Sequence, residues 1–228
     1  MTARFDRRLI PARPDLSYEQ ALWKQGLFLI GGIDEAGRGA WAGPVAAAVV
    51  ILPSSAGIPP SAEMTAVLPG VRDSKQMSPA QRDFWANKIK STARAWGVGM
   101  ASHQEIDSLG IVPATRLAAQ RALAQLGDAA EYLLLDYLHL PEVNLPQVAL
   151  VKGDARVLSI ACASVLAKTS RDAVMIAQDG IYPGYGFAHH KGYGTAAHMA
   201  ALARLGPCPI HRLSFKPVQT VSRSKKQP

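Results

Sequence analysis

Residues 30–45 read Ile-Gly-Gly-Ile-Asp-Glu-Ala-Gly-Arg-Gly-Ala-Trp-Ala-Gly-Pro-Val. An apolar run typical of a strand ends in two adjacent carboxylates, Asp34 and Glu35, and a glycine-flanked arginine, Gly37-Arg38-Gly39, follows at once. Carboxylates bind divalent ions, and a glycine-rich turn lets backbone groups approach a sugar or a phosphate closely. This stretch predicts metal-dependent phosphodiester chemistry at the end of a strand.

Length and composition indicate one globular protein with a sizeable core. The chain has 228 residues, of which 48% are hydrophobic and 18% are charged. No apolar run approaches the roughly 20 residues that span a bilayer, and the first residues lack the apolar segment of a signal peptide. The two cysteines, Cys162 and Cys208, are too few for a disulfide scaffold or a zinc site. We expect a cytoplasmic protein with Cys162 in its core.

The net charge of +8 is concentrated near the carboxyl terminus. No acidic residue follows Asp179, whereas seven basic residues do, which leaves +1 for the first 179 residues. A basic end on a near-neutral body predicts a polyanionic partner, with nucleic acid the first candidate. We expect a binding surface at 180–216. The seven basic residues are Lys191, Arg204, Arg212, Lys216, Arg223, Lys225 and Lys226.

Hydrophobic periodicity and turn residues predict a mixed β-sheet flanked by helices, an α/β fold. Ser17-Tyr-Glu-Gln20 has the spacing of a capping box, and Ser78 before Pro79 is expected to be a helix N-cap. A surface loop is expected at Pro53–Val71. The predicted strands are 28–34, 44–52, 95–102, 131–136 and 147–151, and the predicted helices are 17–26, one opening at 79, 113–126, 156–177 and 195–205.

Four acidic residues lie where predicted strands end: Asp34, Glu35, Asp136 and Asp154. Strand ends that face one crevice are the usual place for sites in α/β sheets. Asp154 alone could be a carboxylate at a helix N-terminus, and Asp136 alone could be a turn residue. If the four converge, they would repel one another unless cations or raised pKa values relieve the charge, and hard oxygen ligands favour Mg²⁺ or Mn²⁺. Two such ions activate water and stabilise a leaving 3′-oxygen in phosphodiester hydrolysis.

Other polar segments allow two interpretations each. Ser74 and Lys75 form either a polar turn or a phosphate contact. Lys168 and Arg171, three apart on a helix, are either a solvated face or two cations that face one phosphate. The stretch 182–195 mixes aromatics, glycines and bases, which suits stacking on nucleic acid. Within that stretch we expect Tyr182 and Phe187 to be packing residues.

These motifs resemble ribonuclease HII, and they occur in that family's order from about residue 28 to 218. The matching stretches are Gly32–Gly39 with Ala42–Val45, Asp73–Lys75, Leu133–Asp136, Lys152–Ala155, Ser159–Ser164, Ala167–Asp172, Tyr182–Phe187, His190–Thr195 and Ile210–Phe215.

The resemblance implies a ribonuclease H-like fold with a C-terminal helical extension. The implied units are an N-terminal helical lead-in at 1–27, a catalytic domain at 28–180, a substrate-binding helical region at 181–218 and a disordered basic tail at 219–228. The implied activity is hydrolysis of the phosphodiester 5′ of a ribonucleotide, in RNA/DNA hybrids and within duplex DNA, leaving 3′-hydroxyl and 5′-phosphate ends.

The resemblance also implies roles for individual residues. Asp34, Glu35, Asp136 and Asp154 would bind two Mg²⁺ or Mn²⁺ ions and form the catalytic set. The other implied residues contact substrate: Gly37, Arg38 and Gly39 would read the ribose 2′-hydroxyl, Tyr193 would pack on the neighbouring deoxyribose, and Ser74, Lys75 and Lys168 would hold the nucleic-acid backbone.

Two local differences from the family concern the shape of the site. The family usually has a small residue after the third carboxylate, where this chain has Tyr137 and then the insert 138–144. Ala40-Trp41 stands where the family usually has Pro-Leu. Both differences are expected to change loop shape and to leave the chemistry intact.

Two other functions are compatible with parts of the sequence. A non-enzymatic nucleic-acid binder explains the charge and the aromatics, but it leaves the strand-end carboxylates without a purpose. Another metal nuclease of the same fold, such as a junction resolvase, would ignore the 2′-hydroxyl. No protein partner and no membrane association are indicated, and a monomer is the default expectation.

Overall fold

A five-stranded mixed sheet forms the centre of the computed structural model, which describes residues 5, 6, 8, 10–54, 68–127 and 130–224. The strand order is β3-β2-β1-β4-β5. Strand β1 pairs antiparallel with β2 and parallel with β4, so Asp34 and Asp136 end neighbouring parallel strands. The strands are β1 Ile30–Ala36, β2 Val45–Ile51, β3 Ala95–Ala101, β4 Tyr132–Asp136 and β5 Gln147–Leu150. All five predicted strands are confirmed to within two residues at each end.

Helices cover both faces of the sheet. They are α1 Ser17–Trp23, α2 Pro79–Thr92, α3 His103–Leu109, α4 Ile111–Ala124, α5 Leu158–Ile181, α6 Phe187–His190, α7 Ala196–Leu205 and α8 Lys216–Ser224. Short 3₁₀ turns lie at Ser74–Gln76 and Gly153–Ala155.

Side chains of β2 alternate between two cores, because successive side chains of a strand point to opposite faces. Ala48 and Val50 pack with α5, whereas Ala47 and Val49 pack with α4. Helix α5 lies very close to the sheet: a Cβ atom at Gly32 would lie 2.3 Å from the carbonyl carbon of Ser159. Cys162 is fully buried in the α5 core, as predicted.

One predicted helix cap is confirmed and one is wrong. Ser78 accepts a hydrogen bond from the N–H of Gln81 and completes a capping box. At α1 the N-cap is Leu16 without a side-chain bond, so the Ser17 capping box is wrong. The Ser17 N–H donates to Asp15 Oδ1 at 2.9 Å. Buried Glu19 accepts from the N–H of Ser159 at 2.9 Å, which satisfies a donor in the first turn of α5.

The C-terminal region extends the fold by three helices, α6 to α8, with a small core of its own that includes Phe187 and Tyr185. Burial of Phe187 confirms its predicted packing role. Helix α8 continues to Ser224, so the expectation of disorder from 219 onward is wrong for 219–224. Val218, which is fully buried, anchors that helix. Residues 225–228, and 55–67 of the expected surface loop, lie outside the described residues.

Helix α3 was not predicted, although its signal is present in the sequence. Ser102 accepts from the N–H of Glu105, and the Glu105 carboxylate accepts from the N–H of Ser102, a second capping box. Among the described helices, none has the length and apolarity that crossing a bilayer requires.

Candidate active site

Three carboxylates converge at the carboxyl ends of the central strands. Asp34, Asp136 and Asp154 each present an oxygen atom, and these atoms lie within 4.8 Å of one another. Asp34 comes from β1, Asp136 from β4, and Asp154 from the 3₁₀ turn after β5. The turn is held in place because the Gly153 N–H donates to Asp136 Oδ1 at 2.8 Å. A fold that joins residues 120 positions apart has therefore built one acidic cluster.

Glu35 lies beside this cluster but outside its three-residue core. Successive strand residues face opposite sides, which separates Glu35 from Asp34. Its Oε1 accepts from Arg38 Nη1 at 3.2 Å in an ion pair. The structure thus brings together three of the four predicted carboxylates and holds the fourth on the arginine of the following turn.

Burial and mutual repulsion disfavour the ionised form of the carboxyl groups in the cluster. Burial, with the charges of Glu35, Asp136 and Asp154, raises the pKa of Asp34 well above its usual range. Burial and Asp154 raise the pKa of Asp136 to about 6. The pKa values of Glu35 and Asp154 are raised as well, and burial is the main cause in both. A group of cations would relieve all four.

Two carboxylate oxygens fit a cation directly. Asp154 Oδ1 and Glu35 Oε2 are buried, and neither has a hydrogen-bond partner among the described residues. A buried carboxylate oxygen without a donor is costly unless a cation completes its surroundings. The donor set is all oxygen, which suits Mg²⁺ or Mn²⁺. The residues present therefore fit a hard divalent ion.

Lys75 is the cation that reaches the cluster. Its Nζ lies 3.6 Å from Asp154 Oδ2 and 3.9 Å from Asp73 Oδ1, and its side chain is largely exposed. Burial lowers the pKa of Lys75, but the surrounding carboxylates outweigh this and raise it. Ser74 is buried instead, and its Oγ accepts from Ser164 Oγ at 2.8 Å. Of this predicted pair, only Lys75 has an exposed side chain at the site.

The two glycines of the turn after β1, Gly37 and Gly39, differ in whether the fold requires them. Gly37 has φ +94°, and a Cβ atom there would lie 1.9 Å from Arg171 Nε, so packing and conformation both demand glycine. A Cβ atom at Gly39 would meet no atom of the described residues within 4 Å, and the φ of Gly39 lies outside the left-handed range. The protein itself therefore does not require glycine at 39, which leaves room above that backbone for a ligand.

Two fully buried arginines hold the segment 37–44 by its carbonyl groups. Arg212 donates to the carbonyls of Arg38, Gly43 and Pro44 at 2.9–3.0 Å. Arg171 donates to the carbonyls of Ala42, Pro44 and Lys191 at 2.8–3.1 Å. Burial is the main cause of the lowered pKa of Arg171. It is also the main cause at Arg212, whose pKa is lowered to about 9. Sequence reasoning missed this bracing, because nothing in the sequence shows that either arginine is buried.

The burial corrects two expectations about charge. Arg212 was counted in the basic surface at 180–216, yet its side chain is fully buried. Arg171 was paired with Lys168 as a phosphate contact or a solvated face, yet Arg171 is also fully buried. Lys168 is largely buried and donates to Asp172 Oδ1 at 2.8 Å.

Tyr193 is fixed next to the same segment. Ala40 and Tyr193 form an isolated β-bridge, and the ring centroid of Tyr193 lies 5.2 Å from Lys168 Nζ and 5.2 Å from the Arg171 guanidinium carbon. The glycine turn, Lys168 and Tyr193 thus form one connected surface.

A chain of buried histidines ends on the backbone of Tyr193. The Cys208 N–H donates to His211 Nδ1 at 2.9 Å, His211 Nε2 lies 3.1 Å from His198 Nε2, and His198 Nδ1 lies 3.0 Å from the Tyr193 carbonyl. All four ring nitrogens are satisfied when both rings are neutral, with His211 protonated on Nε2 and His198 on Nδ1. Burial is the main cause that lowers both pKa values to about 4, which keeps the rings neutral.

Tyr137, the residue after the third carboxylate, has a left-handed backbone with φ 55°, and 72% of its surface is exposed. The insert that follows is anchored, because Leu138 and Leu140 are buried and the Gln147 side chain bonds both the N–H and the carbonyl of Leu140. The loop after the third carboxylate therefore carries an exposed aromatic side chain on an anchored backbone.

Comparison with known proteins agrees with this geometry. A family model described as Ribonuclease HII matches residues 31–218. Ribonuclease HII of Synechococcus sp. (strain JA-3-3Ab) is 53% identical over 207 residues, which cover 91% of this chain and 90% of the relative.

Solved structures share the fold at low identity. A PCNA:RNase HII complex from Archaeoglobus fulgidus matches with a TM-score of 0.69 and 23% identity, covering 85% of this chain and 96% of that one. Bst-RNase HIII in complex with Mn²⁺ matches with a TM-score of 0.65 and 18% identity, covering 88% and 71%. Fold and family together define a metal-dependent endoribonuclease with a ribonuclease H-like fold. The chain belongs to the ribonuclease HII family.

Proposed function

We propose that this protein hydrolyses the phosphodiester bond on the 5′ side of a ribonucleotide, in RNA/DNA hybrids and at ribonucleotides embedded in duplex DNA. The products would carry 3′-hydroxyl and 5′-phosphate ends. The observation that carries the proposal is that the acidic cluster and the turn with the open backbone of Gly39 both lie at the end of β1, linked by the Glu35–Arg38 ion pair. The turn that would recognise the ribose and the carboxylates that would support cleavage are thus both positioned by β1.

The four carboxylates have distinct roles in this proposal. Asp34, Asp136 and Asp154 would hold divalent ions, Mg²⁺ or Mn²⁺, through their converging oxygens. Glu35 would join them through Oε2, the buried oxygen that Arg38 does not bind. Two bound ions supply an activated water and stabilise the charge on the leaving 3′-oxygen. Lys75, close to Asp154, would neutralise charge on the substrate backbone near the cluster.

The 2′-hydroxyl would be read by backbone groups of Gly37, Arg38 and Gly39. This hydroxyl donates and accepts hydrogen bonds, and it is what distinguishes RNA from DNA at a given position. Backbone N–H and C=O groups offer both functions, and Gly39 puts no side chain in the way. Arg212 supports this role because it holds the Arg38 carbonyl at 2.9 Å.

Tyr193 and two lysines would contact the rest of the substrate. The Tyr193 ring would pack on the deoxyribose next to the ribonucleotide, with Lys168 close to the ring. Ser74 is buried, so its contribution would be to order the segment that carries Lys75 rather than to bind phosphate through its hydroxyl.

Matched duplexes test the proposal. One duplex carries a single ribonucleotide, a second is identical but lacks that 2′-hydroxyl, and a third is an all-DNA four-way junction. We expect Mg²⁺- or Mn²⁺-dependent cleavage of the first alone, with the ends stated above. Equal cleavage of the junction would support a resolvase, and binding without cleavage would support a non-enzymatic binder; either result would reject the proposal.

A further inference from the structure

The carboxyl ends of β4 and β5 carry an exposed surface that the proposed site does not use. It consists of Tyr137, which follows β4, and Val151 and Lys152, which follow β5. Tyr137 is 72% exposed, Val151 is 40% exposed, and Lys152 is exposed. This group is called the β4–β5 lip below.

The lip stores backbone strain at both of its polar residues. Tyr137 has φ 55° and Lys152 has φ 59°, and among the described residues only Lys191 shares this left-handed conformation without being glycine. Such a conformation is unfavourable for a residue with a Cβ atom, and more so for a bulky ring. The Tyr137 ring is largely exposed, so contacts of the ring with the rest of the fold contribute little to this conformation, and the ring is free to contact a ligand.

The backbone of the lip is fixed relative to the carboxylates. The Tyr137 N–H donates to the Leu150 carbonyl at 3.0 Å, and the Gly153 N–H donates to Asp136 Oδ1 at 2.8 Å. Asp136 pairs with Leu150 in the parallel register of β4 and β5. Tyr137 therefore directly follows Asp136, and Lys152 lies two residues before Asp154, so both lip residues are attached next to the acidic cluster.

The lip and the glycine turn lie at the ends of different strands beside the cluster. The turn at Gly37–Gly39 leads from β1 towards β2, whereas the lip follows β4 and β5. Neighbouring strands lie about 4.8 Å apart, so a ring and an ammonium group attached at adjacent strand ends can both reach one nucleotide. Aromatic rings stack on bases and sugars, and lysine pairs with phosphate.

We propose that the β4–β5 lip binds one nucleotide of the cleaved strand, at the β4 and β5 ends of the acidic cluster and away from the ribonucleotide reader that follows β1. Tyr137 stacks on its base or sugar, Val151 extends the apolar contact, and Lys152 binds its phosphate. This inference rests on the proposed function for the identity of the ligand. The contact is independent of the 2′-hydroxyl, because it lies away from the glycine turn.

Equilibrium binding to a duplex with one ribonucleotide, measured by fluorescence anisotropy, tests the lip. Asp34→Asn is used as the background so that cleavage does not interfere. We expect Tyr137→Gly to weaken binding about tenfold, in line with the loss of one stacked base. Tyr137→Phe, the matched control, keeps the ring and should bind within twofold of the background protein. The all-DNA duplex should show the same ratio between variants.

Thermal unfolding of Tyr137→Gly separates this contact from a structural role. Glycine relieves the left-handed strain, so we expect the melting temperature to rise by about 2–4 °C while binding weakens. If the substitution damaged the fold, the melting temperature would fall together with the binding affinity. Unchanged binding by Tyr137→Gly would overturn the proposal.

The salt dependence of binding tests Lys152 by itself. Lys152→Gly suits the left-handed backbone and removes one cation, so the slope of log K against log salt should decrease by about 0.9, while Tyr137→Gly leaves the slope unchanged. An unchanged slope for Lys152→Gly would also overturn the proposal. If the wild-type protein fails to cleave the ribonucleotide duplex, the proposed function fails, and these binding ratios still decide whether the lip contacts nucleic acid.

Discussion

The acidic cluster and the segment 37–44 both begin at the end of β1, yet they are held in opposite ways. The cluster gathers like charges in a buried place, and burial and repulsion raise the pKa values of its carboxyl groups. The segment 37–44 is an irregular backbone whose carbonyls accept hydrogen bonds from two buried arginines. The negative charges of the cluster are unfavourable until cations bind, whereas carbonyl groups of the segment already have hydrogen-bond donors. Catalysis and recognition should therefore respond differently to mutation.

The largest effect is expected from the cluster. Asp34→Asn should reduce cleavage by at least about 1,000-fold, because one ligand and one charge leave the metal site. The same change should leave the melting temperature in chelator unchanged or higher, since it removes a repelling charge. Single-turnover cleavage and thermal unfolding measure the two effects. Asp83→Asn, at an exposed position on α2, is the control. Cleavage by Asp34→Asn within tenfold of wild type would contradict this assignment.

The arginines should give the opposite pattern. Arg212→Met leaves the carbonyls of Arg38 and Gly43 without this donor and the Pro44 carbonyl with Arg171 alone, so we expect a loss of about 3 kcal/mol in the free energy of unfolding. The preference for a ribonucleotide over a deoxyribonucleotide should fall as well. Urea unfolding measures the first effect and matched duplexes measure the second. Arg94→Met removes an exposed arginine as the control. A stability loss below about 1 kcal/mol would show that the carbonyls find other donors.

Acid should weaken the recognition side through the two buried histidines. The pKa values of His198 and His211 are lowered from 6.5 to about 4. Between about pH 6.5 and 4 the unfolded chain binds protons that the fold rejects, so stability falls as the pH falls. The slope should reach up to about 2.7 kcal/mol per pH unit for two groups, and above pH 6.5 this contribution to the pH dependence disappears.

Denaturant unfolding between pH 4 and 8 checks this prediction. His198→Gln keeps a polar side chain that does not titrate, and it should reduce the slope by up to half. His139→Gln, at an exposed position, should leave the slope unchanged. Equal slopes for wild type and His198→Gln would show that these rings do not govern the acid response.

The smallest effect is expected at Tyr193. Tyr193→Ala should slow cleavage of a duplex with a single ribonucleotide about tenfold, because a stacking surface is lost. Metal affinity should stay the same, because Tyr193 lies on the recognition side. Tyr193→Phe keeps the ring and should cleave nearly as wild type does. A drop in metal affinity for Tyr193→Ala would mean that the two regions are coupled more tightly than their contacts indicate.

Local signals in the sequence predicted local structure well where no distant residue competes. The Ser78 cap is confirmed because Ser78 and Gln81 need only each other. The Ser17 cap is wrong because Ser17 is already the first helical residue, and its N–H donates to Asp15 Oδ1. Ser74 is buried because a distant residue competes for it: Ser164 of α5 accepts from the Ser74 N–H and donates to its Oγ. Long-range partners of short polar side chains leave no mark on the nearby sequence.

The sequence by itself determined the strands, the four carboxylates at their ends and the glycine turn, because each depends on residue type and spacing over a short stretch. Tertiary structure alone decided which carboxylates converge most closely, and it left Glu35 beside the other three in an ion pair with Arg38. It also decided that Arg171 and Arg212 face backbone carbonyls and that His198 and His211 stay neutral. The physical reason is that the charge, hydrogen bonding and pKa of a polar side chain depend on what surrounds it, and residues far apart in the chain supply those surroundings.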